Sequence, residues 1–196
     1  MLTAPLLTTL PFHFDAEQHS YTLHDGTELP SITQMLDRTG WVDSRWFSEE
    51  SSDRGTAVHR LTADYDLKSL DVASCTSKFR GYLLAHVKAV TIVQPTILAV
   101  EEPLVHPVLR FGGRPDRDMF AYDQRGVWEV KSGVPAKAHS LQTALQAILV
   151  AVDAKLPPES LLRLCCYVAD KGKYKVVEHK DRRDFDEAYR IIKVCT

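Results

Sequence analysis

The sequence predicts an α/β fold in one domain, with a mixed central sheet flanked by helices. Three observations support this prediction. The chain has 196 residues, which suits a single domain of about 100–200 residues. Its composition, with 44% hydrophobic and 26% charged residues, is that of an ordinary globular protein. The hydrophobic patterns change along the chain from helices to a run of strands, then a helix, two strands and a last helix, an order typical of α/β and α+β domains.

Residues 1–50 are predicted to form an appendage made of a β-hairpin and a short helix. The segment FHFDAEQHSYTLHDGTELP alternates apolar and polar residues and contains an Asp-Gly pair, which favours short strands joined by tight turns. Ser31 and Gln34 then fit a capping box at the start of a helix, and Gly40 is placed to end it.

Residues 51–196 are predicted to form the core of the domain. Apolar residues at helical spacing predict a helix from Asp53 and a longer one from Cys75 to Val93. Four β-branched and apolar runs predict three or four successive strands, ILAV, LVHPVLRF, DMFAY and GVWEV, the last two joined by a D-Q-R-G turn. A helix that opens at Ser140, two strands about a Gly-containing turn and a last helix from about Asp184 complete the chain.

Charge and hydropathy restrict the classes of partner. The 24 Lys and Arg residues against 26 Asp and Glu residues give a net charge of −2, which excludes a uniformly basic coat but not a local basic groove for nucleic acid. The apolar stretches are too short or too interrupted for the roughly 20 residues that span a bilayer, so we expect no membrane partner. No basic residue precedes Arg38 to form a targeting signal, and we expect a cytoplasmic protein. The four cysteines lack the spacing of a metal site or a disulfide framework, and we expect reduced thiols.

Two neighbouring strands carry the residues that point to chemistry. Asp116 lies at the start of one predicted strand, and Glu129 and Lys131 lie on the next. Because side chains alternate along a strand, Glu129 and Lys131 share a face while Val130 points to the core. If Asp116 faces them, the carboxylates form a site for Mg²⁺ or Mn²⁺, with the Val130 carbonyl as a further ligand, and Lys131 polarises a water or stabilises developing negative charge. This combination suits phosphodiester hydrolysis, whose transition state accumulates negative charge.

The Pro-Asp pair at 115–116 and the Glu-Val-Lys run at 129–131 resemble the P-D…(D/E)-x-K motif of the PD-(D/E)XK nuclease superfamily. The R-G-x-x-x-H run at 54–59 and the L-P-S-I-T-Q-M-L run at 29–36 are similar to its RecB-like exonuclease branch, which includes phage exonucleases and the mitochondrial genome maintenance exonuclease. The resemblance implies that residues 1–196 form one nuclease domain with a restriction-endonuclease-like core. It also implies a metal-dependent deoxyribonuclease, an exonuclease of DNA replication, recombination or repair that leaves 5′-phosphates, in a bacterium or a phage-infected host.

The same resemblance implies further site residues. His59 and a glutamate before the aspartate, Glu101 or Glu102, would add metal ligands, and the spacing favours Glu101. Gln142 takes the glutamine position of the family's Q-x-x-x-Y helix and is expected at the catalytic site. Gln146 stands where the family has its tyrosine, and we expect it to contact DNA.

DNA, as single strands or duplex ends, is the expected partner, together with a replication or recombination protein. Three arginines are predicted to contact its phosphates: Arg54, Arg114 and Arg117. The aromatic residues Trp41, Trp46 and Phe47 are expected to form a small core of their own, with base stacking as the alternative.

Two other functions fit the same sequence. One is a catalytically silent nucleic-acid-binding or assembly protein with the nuclease fold, which the glutamine at position 146 favours. The other is a structure-specific or RNA-directed nuclease with the same metal site. A second E-x-K run at 178–180 is a weaker choice of site, since it lacks the preceding histidine helix and the following glutamine helix.

Overall fold

The computed structural model describes residues 11–42 and 48–196, so Trp46 and Phe47 lie outside the described residues. Ten strands and five α-helices follow one another along these ranges, with short 3₁₀ turns before α3 and after α4. In chain order they are β1 (Phe12–Asp15), β2 (Ser20–Leu23), β3 (Glu28–Leu29), α1 (Ile32–Arg38), α2 (Glu49–Asp66), α3 (Ser77–Val93), β4 (Thr96–Val100), β5 (Leu104–Val105), β6 (Gly112–Gly113), β7 (Arg117–Ala121), β8 (Gln124–Lys131), α4 (Lys137–Ala154), β9 (Leu162–Val168), β10 (Tyr174–Glu178) and α5 (Arg183–Cys195). None of the helices in these ranges has the length and the apolar character needed to cross a bilayer.

Five strands form the central sheet in the order β10-β9-β8-β7-β4. Neighbours in this sheet are antiparallel except for β8 and β9, which are parallel because α4 connects one to the other. Helices α4, α5 and α1 pack together on one face, and α2 and α3 pack on the other. The predicted mixed α/β sheet flanked by helices is therefore confirmed.

Strand β8 divides its side chains between the two faces. Val127 belongs to the core under α4, whereas Trp128 and Val130 belong to the core under α2 and α3. Strand alternation then brings Glu129 and Lys131 to the α4 face, as predicted. Glu129 and Lys131 of this central strand consequently lie among buried neighbours.

The N-terminal strands form a separate three-stranded meander in the order β1-β2-β3. Its core contains Tyr21 and Leu29 together with Val105 of β5. Gly112 of β6 packs directly under the Tyr21 ring, where a β-carbon would lie 2.4 Å from Cγ. The capping box of α1 is present, with the Ser31 and Gln34 side chains each accepting a hydrogen bond from the other residue's backbone N–H.

Several element boundaries differ from the predictions. Helix α2 begins at Glu49 rather than Asp53, because Ser48 is the residue that caps it. Helix α3 begins at Ser77, since a 3₁₀ turn at Val72–Ser74 precedes it. The LVHPVLRF run contributes only the two-residue strand β5, because the His106 side chain accepts backbone N–H bonds two and three residues ahead and turns the chain.

The turn between β7 and β8 is also shorter than predicted. Tyr122 and Asp123 alone form it, both with positive φ, 49° and 59°. Two consecutive residues in this region give the I′ type of turn that matches the twist of a hairpin. Gln124 and Arg125, which the D-Q-R-G reading assigned to the turn, belong to β8.

Candidate metal centre

One histidine and two carboxylates converge at the end of the β7–β8 hairpin. Each of His59, Asp116 and Glu129 offers a ligand atom, and these atoms all lie within 4.8 Å of one another. His59 lies on α2, Asp116 immediately precedes β7, and Glu129 lies on β8. Three separate elements therefore build the group.

Asp116 is held by contacts on both of its carboxylate oxygens. Oδ1 lies 3.0 Å from Nδ1 of His59, and Oδ2 accepts the backbone N–H of Val130 at 2.7 Å. The β7–β8 pairing ends at Arg117 and Trp128, so the side chain of Asp116 takes a backbone donor just beyond the ladder. Burial opposes ionisation, yet His59, Lys131 and Arg117 lower the pKa of Asp116 to about 2.

Glu129 is almost completely buried, and three side chains donate to it. Its Oε1 accepts Nζ of Lys131 at 2.6 Å and the amide of Gln142 at 2.7 Å, while Oε2 accepts the amide of Gln146 at 2.6 Å. Burial, and next the charge of Asp116, raise the pKa of Glu129. The donors therefore compensate for a costly buried carboxylate.

The two basic groups of the site respond to the same carboxylates. Burial alone would lower the pKa of Lys131 and of His59. Glu129, and then Asp116, raise the pKa of Lys131, whereas Asp116 is the main group that raises that of His59. The site thus holds opposite charges in close contact, an arrangement common at functional sites.

The group opens into a cavity of about 650 Å³. Tyr21 of the N-terminal meander and Arg60 of α2 contribute to its walls. Glu101 and Arg114 also line it and form an ion pair of 2.9 Å, and the Arg114 guanidinium lies 5.5 Å from the centre of the Phe14 ring. The N-terminal meander and the domain of the central sheet therefore meet at this cavity.

The structure brings most of the predicted site residues to one place. The residues that line the same cavity are His59, Glu101, Arg114, Asp116, Glu129, Lys131, Gln142 and Gln146. Glu101 follows the end of β4 with a φ of 50° and is outside the group of three ligand residues. Arg54 does not line the cavity, and its Nε is buried without a partner among the described residues.

Two predicted DNA contacts need correction. Arg117 is 1% exposed, and its guanidinium contacts Asp66 at 2.6 Å, the Asp116 carbonyl at 2.6 Å and Thr62 at 3.3 Å. The prediction that Arg117 contacts DNA phosphates was wrong, because the side chain is a buried structural group. Gln146 is 2% exposed and donates to Glu129, so its observed contact is with a site carboxylate rather than with DNA.

A buried polar cluster of Asp66, His86 and Arg117 lies next to the site and was not predicted. Asp66 accepts bonds from Arg117 and from Nε2 of His86, and both partners are buried. Asp66 lies seven residues after His59, which places the two side chains on one side of α2, two turns apart. The seven-residue spacing of His59 and Asp66 is the sequence signal that could have indicated that both residues belong to the same region.

The ligand set is compatible with a metal ion. Two carboxylates and one imidazole are side chains that can coordinate a divalent cation. No cysteine belongs to the group of His59, Asp116 and Glu129, and the four cysteines of the described chain are free, as expected. The metal contact predicted for the Val130 carbonyl stays a prediction; the contact seen there is from its N–H to Asp116.

Comparisons with known proteins show the fold. No protein-family model matches the chain, and no curated protein sequence does. Among solved structures, one from Eubacterium rectale, which carries a provisional exonuclease assignment, matches with a TM-score of 0.50 and 10% identity over 85% of this chain and 77% of that one. LHK-Exo in complex with dAMP matches with a TM-score of 0.45 and 15% identity over 85% of each chain. The chain thus shares its mixed α/β fold with an exonuclease-type structure.

Proposed function

We propose that this protein is a metal-dependent deoxyribonuclease that acts as an exonuclease on single-stranded or duplex DNA ends. The observation that carries the proposal is the convergence of Asp116, Glu129, Lys131 and His59 on one cavity. These residue types in this arrangement are what phosphodiester hydrolysis requires. The proposal includes the PD-(D/E)XK assignment and a place in DNA replication, recombination or repair.

His59, Asp116 and Glu129 would hold Mg²⁺ or Mn²⁺, with Glu101 in reach of the same cavity. When bound, the cation supplies a positive charge that offsets the negative charge developing on the phosphate. The chain itself keeps the ligands in place: Val130 N–H fixes Asp116, and the amides of Gln142 and Gln146 fix Glu129.

Lys131 is the proposed catalytic lysine. Its ammonium now donates to Glu129 at 2.6 Å, and its side chain is 20% exposed toward the cavity. With a divalent cation as counter-charge for the carboxylates, this ammonium is free to donate to the attacking water or to a phosphate oxygen. In the mechanism we propose, Lys131 orients or activates the attacking water and adds a positive charge beside the phosphate.

A Lys131→Ala variant tests the proposal. End-labelled single- and double-stranded DNA, linear and circular, would be incubated with Mg²⁺, Mn²⁺ or a chelator. We expect cleavage by the parent to need the metal and to fall by at least about 100-fold in the variant, since a positioned charge at the transition state contributes about that much. The matched control is Lys193→Ala, which removes an exposed lysine of α5 and should cut like the parent.

The outcomes separate the competing functions. A Lys131→Ala protein that cuts as fast as the parent would contradict the assignment. Metal-independent DNA retention with no product would favour the silent binding protein. Preference for RNA or branched DNA would favour the structure-specific or RNA-directed nuclease, and cleavage of circular DNA would exclude a strict exonuclease.

A further inference from the structure

A row of three side chains extends sideways from the metal centre across the sheet. Lys131 of β8 pairs with Tyr167 of β9, which in turn pairs with Lys175 of β10. Residues directly opposite one another share a face, so all three lie on the α4 face. Adjacent strands are about 4.8 Å apart, so the backbones at Lys131 and Lys175 are separated by about 10 Å, the axial length of about three stacked nucleotides.

His139 lies over the middle of this row, in the first turn of α4. Its Nδ1 accepts the backbone N–H of Ala136 at 3.3 Å and lies 2.9 Å from the hydroxyl of Tyr167. We assign the tautomer with the proton on Nε2, because Nδ1 can then accept from the Tyr167 hydroxyl and from the Ala136 N–H. In this tautomer Nε2 is a hydrogen-bond donor. Burial, and then the positive charge of Lys131, lower the pKa of His139 to about 4, which keeps the ring neutral.

The outer end of the row is open to solvent. α4 packs chiefly on β8 and β9, and Lys175 on the edge strand β10 is exposed. Within residues 11–42 and 48–196, no carboxylate forms an ion pair with Lys175. The carboxylates at the end of β10 and at the start of α5 have basic partners: Asp184 pairs with Arg163 and Lys137, Glu178 with Lys180, and Asp181 with Arg183. Lys131 is paired with Glu129, so the row presents one exposed lysine without a carboxylate partner among the described residues, Lys175, and one neutral donor, His139.

We propose that Lys131, His139, Tyr167 and Lys175, here named the lateral strip, bind the sugar-phosphate backbone of the DNA strand on one side of the scissile bond. The proposal rests on the proposed nuclease function and adds the direction in which the strand leaves the metal centre. Lys175 contacts a phosphate about three nucleotides from the reacting one, and Nε2 of His139 donates to a phosphate between them. Tyr167 is a positioning residue that keeps the His139 ring in the donating tautomer.

Binding without cleavage tests the strip separately from catalysis. Anisotropy of a fluorescein-labelled single-stranded oligonucleotide would be measured in chelator, at several salt concentrations, for the parent and for Lys175→Ala and His139→Ala. We expect each variant to bind about 3- to 10-fold more weakly at low salt, and Lys175→Ala to reduce the slope of log Kd against log salt by about 0.7, the value for one lost contact to a single strand. Lys193→Ala is the charge-matched control and should leave both quantities unchanged.

Further variants protect the test against misfolding. Lys175→Glu reverses the charge at an exposed position and should weaken binding more than Lys175→Ala, while thermal melts of every variant verify the fold. Tyr167→Phe removes only the hydroxyl and should reproduce part of the His139→Ala loss. Parent-like affinity and salt slope for folded Lys175→Ala and His139→Ala would overturn the strip, even if Lys131→Ala abolishes cleavage. Loss of binding in these variants together with metal-dependent cleavage by the parent would support both proposals.

Discussion

Replacing Asp66 with Ala should destabilise the protein strongly, because it removes the only carboxylate that the described residues offer to the buried Arg117 guanidinium. The side chains of Asp66 and Arg117 are 3% and 1% exposed, and they are joined by an ion pair of 2.6 Å. Removing one partner of such a pair leaves an uncompensated buried charge, which costs about 3–5 kcal/mol. His86, which is also buried, loses its acceptor in the same variant. At about 2–4 °C per kcal/mol for a chain of this size, the melting temperature should fall by about 6–20 °C.

Urea denaturation followed by circular dichroism measures this loss. Asp64→Ala is the control on the same helix, because Asp64 pairs with Arg60 at 4.0 Å through side chains that are 40% and 85% exposed. Exposed pairs of this kind contribute little, so the control should change the free energy of unfolding by less than about 0.5 kcal/mol. Adding Arg117→Met to Asp66→Ala should recover part of the stability, since no charge then stays buried. A loss below about 1 kcal/mol for Asp66→Ala would refute the reasoning.

Two further predictions concern the α4 side chains. Gln146→Leu should lower the free energy of unfolding by about 1–3 kcal/mol, because it removes a donor from the buried Glu129 carboxylate. Gln142 is partly exposed, so Gln142→Leu should lower it less. Urea denaturation in chelator measures both losses, and the reverse order would contradict the burial argument. His139→Gln should reduce the pH dependence of the unfolding free energy. The pKa of His139 is about 4 in the folded protein and about 6.5 in the unfolded chain, so the unfolded chain takes up the proton first as the pH falls. The stability that the neutral ring contributes is therefore present above pH 6.5 and is lost as the pH falls toward 4. The difference in unfolding free energy between parent and His139→Gln should therefore shrink from pH 7 to pH 5, and a constant difference would oppose this assignment.

Local patterns account for the part of the site that sequence alone predicted. Glu129 and Lys131 share a face because alternation in a strand is a property of the backbone, and Asp116 meets them because β7 and β8 form a hairpin of consecutive strands. The capping box at Ser31 was equally local, and so was the existence of α4, although this helix begins at Lys137 rather than at Ser140. Such features depend on residues that are near in sequence, so their geometry is fixed before the rest of the fold is known.

The missed features depend on residues that are distant in sequence. Arg117 is next to Asp116, and arginine is a residue type that commonly binds phosphate, but its partner Asp66 is 51 residues earlier. Its burial follows only from how α2 packs against the sheet. Gln146 similarly gains its role from Glu129, 17 residues away on another element. In both cases the polarity of the side chain was visible in the sequence while the neighbour that satisfies it was not.

The two-residue turn at Tyr122 and Asp123 sets the register of β8 against β7, and the site depends on this register. Because strand side chains alternate with a period of two, one inserted residue that shifted β8 against β7 would exchange the two faces of β8. Glu129 and Lys131 would then enter the apolar core that Trp128 now fills, and Trp128 would move into the cavity. A one-residue insertion that shifts this register would therefore disrupt the site, whereas insertions in surface loops elsewhere leave the pairing of β7 with β8 unchanged.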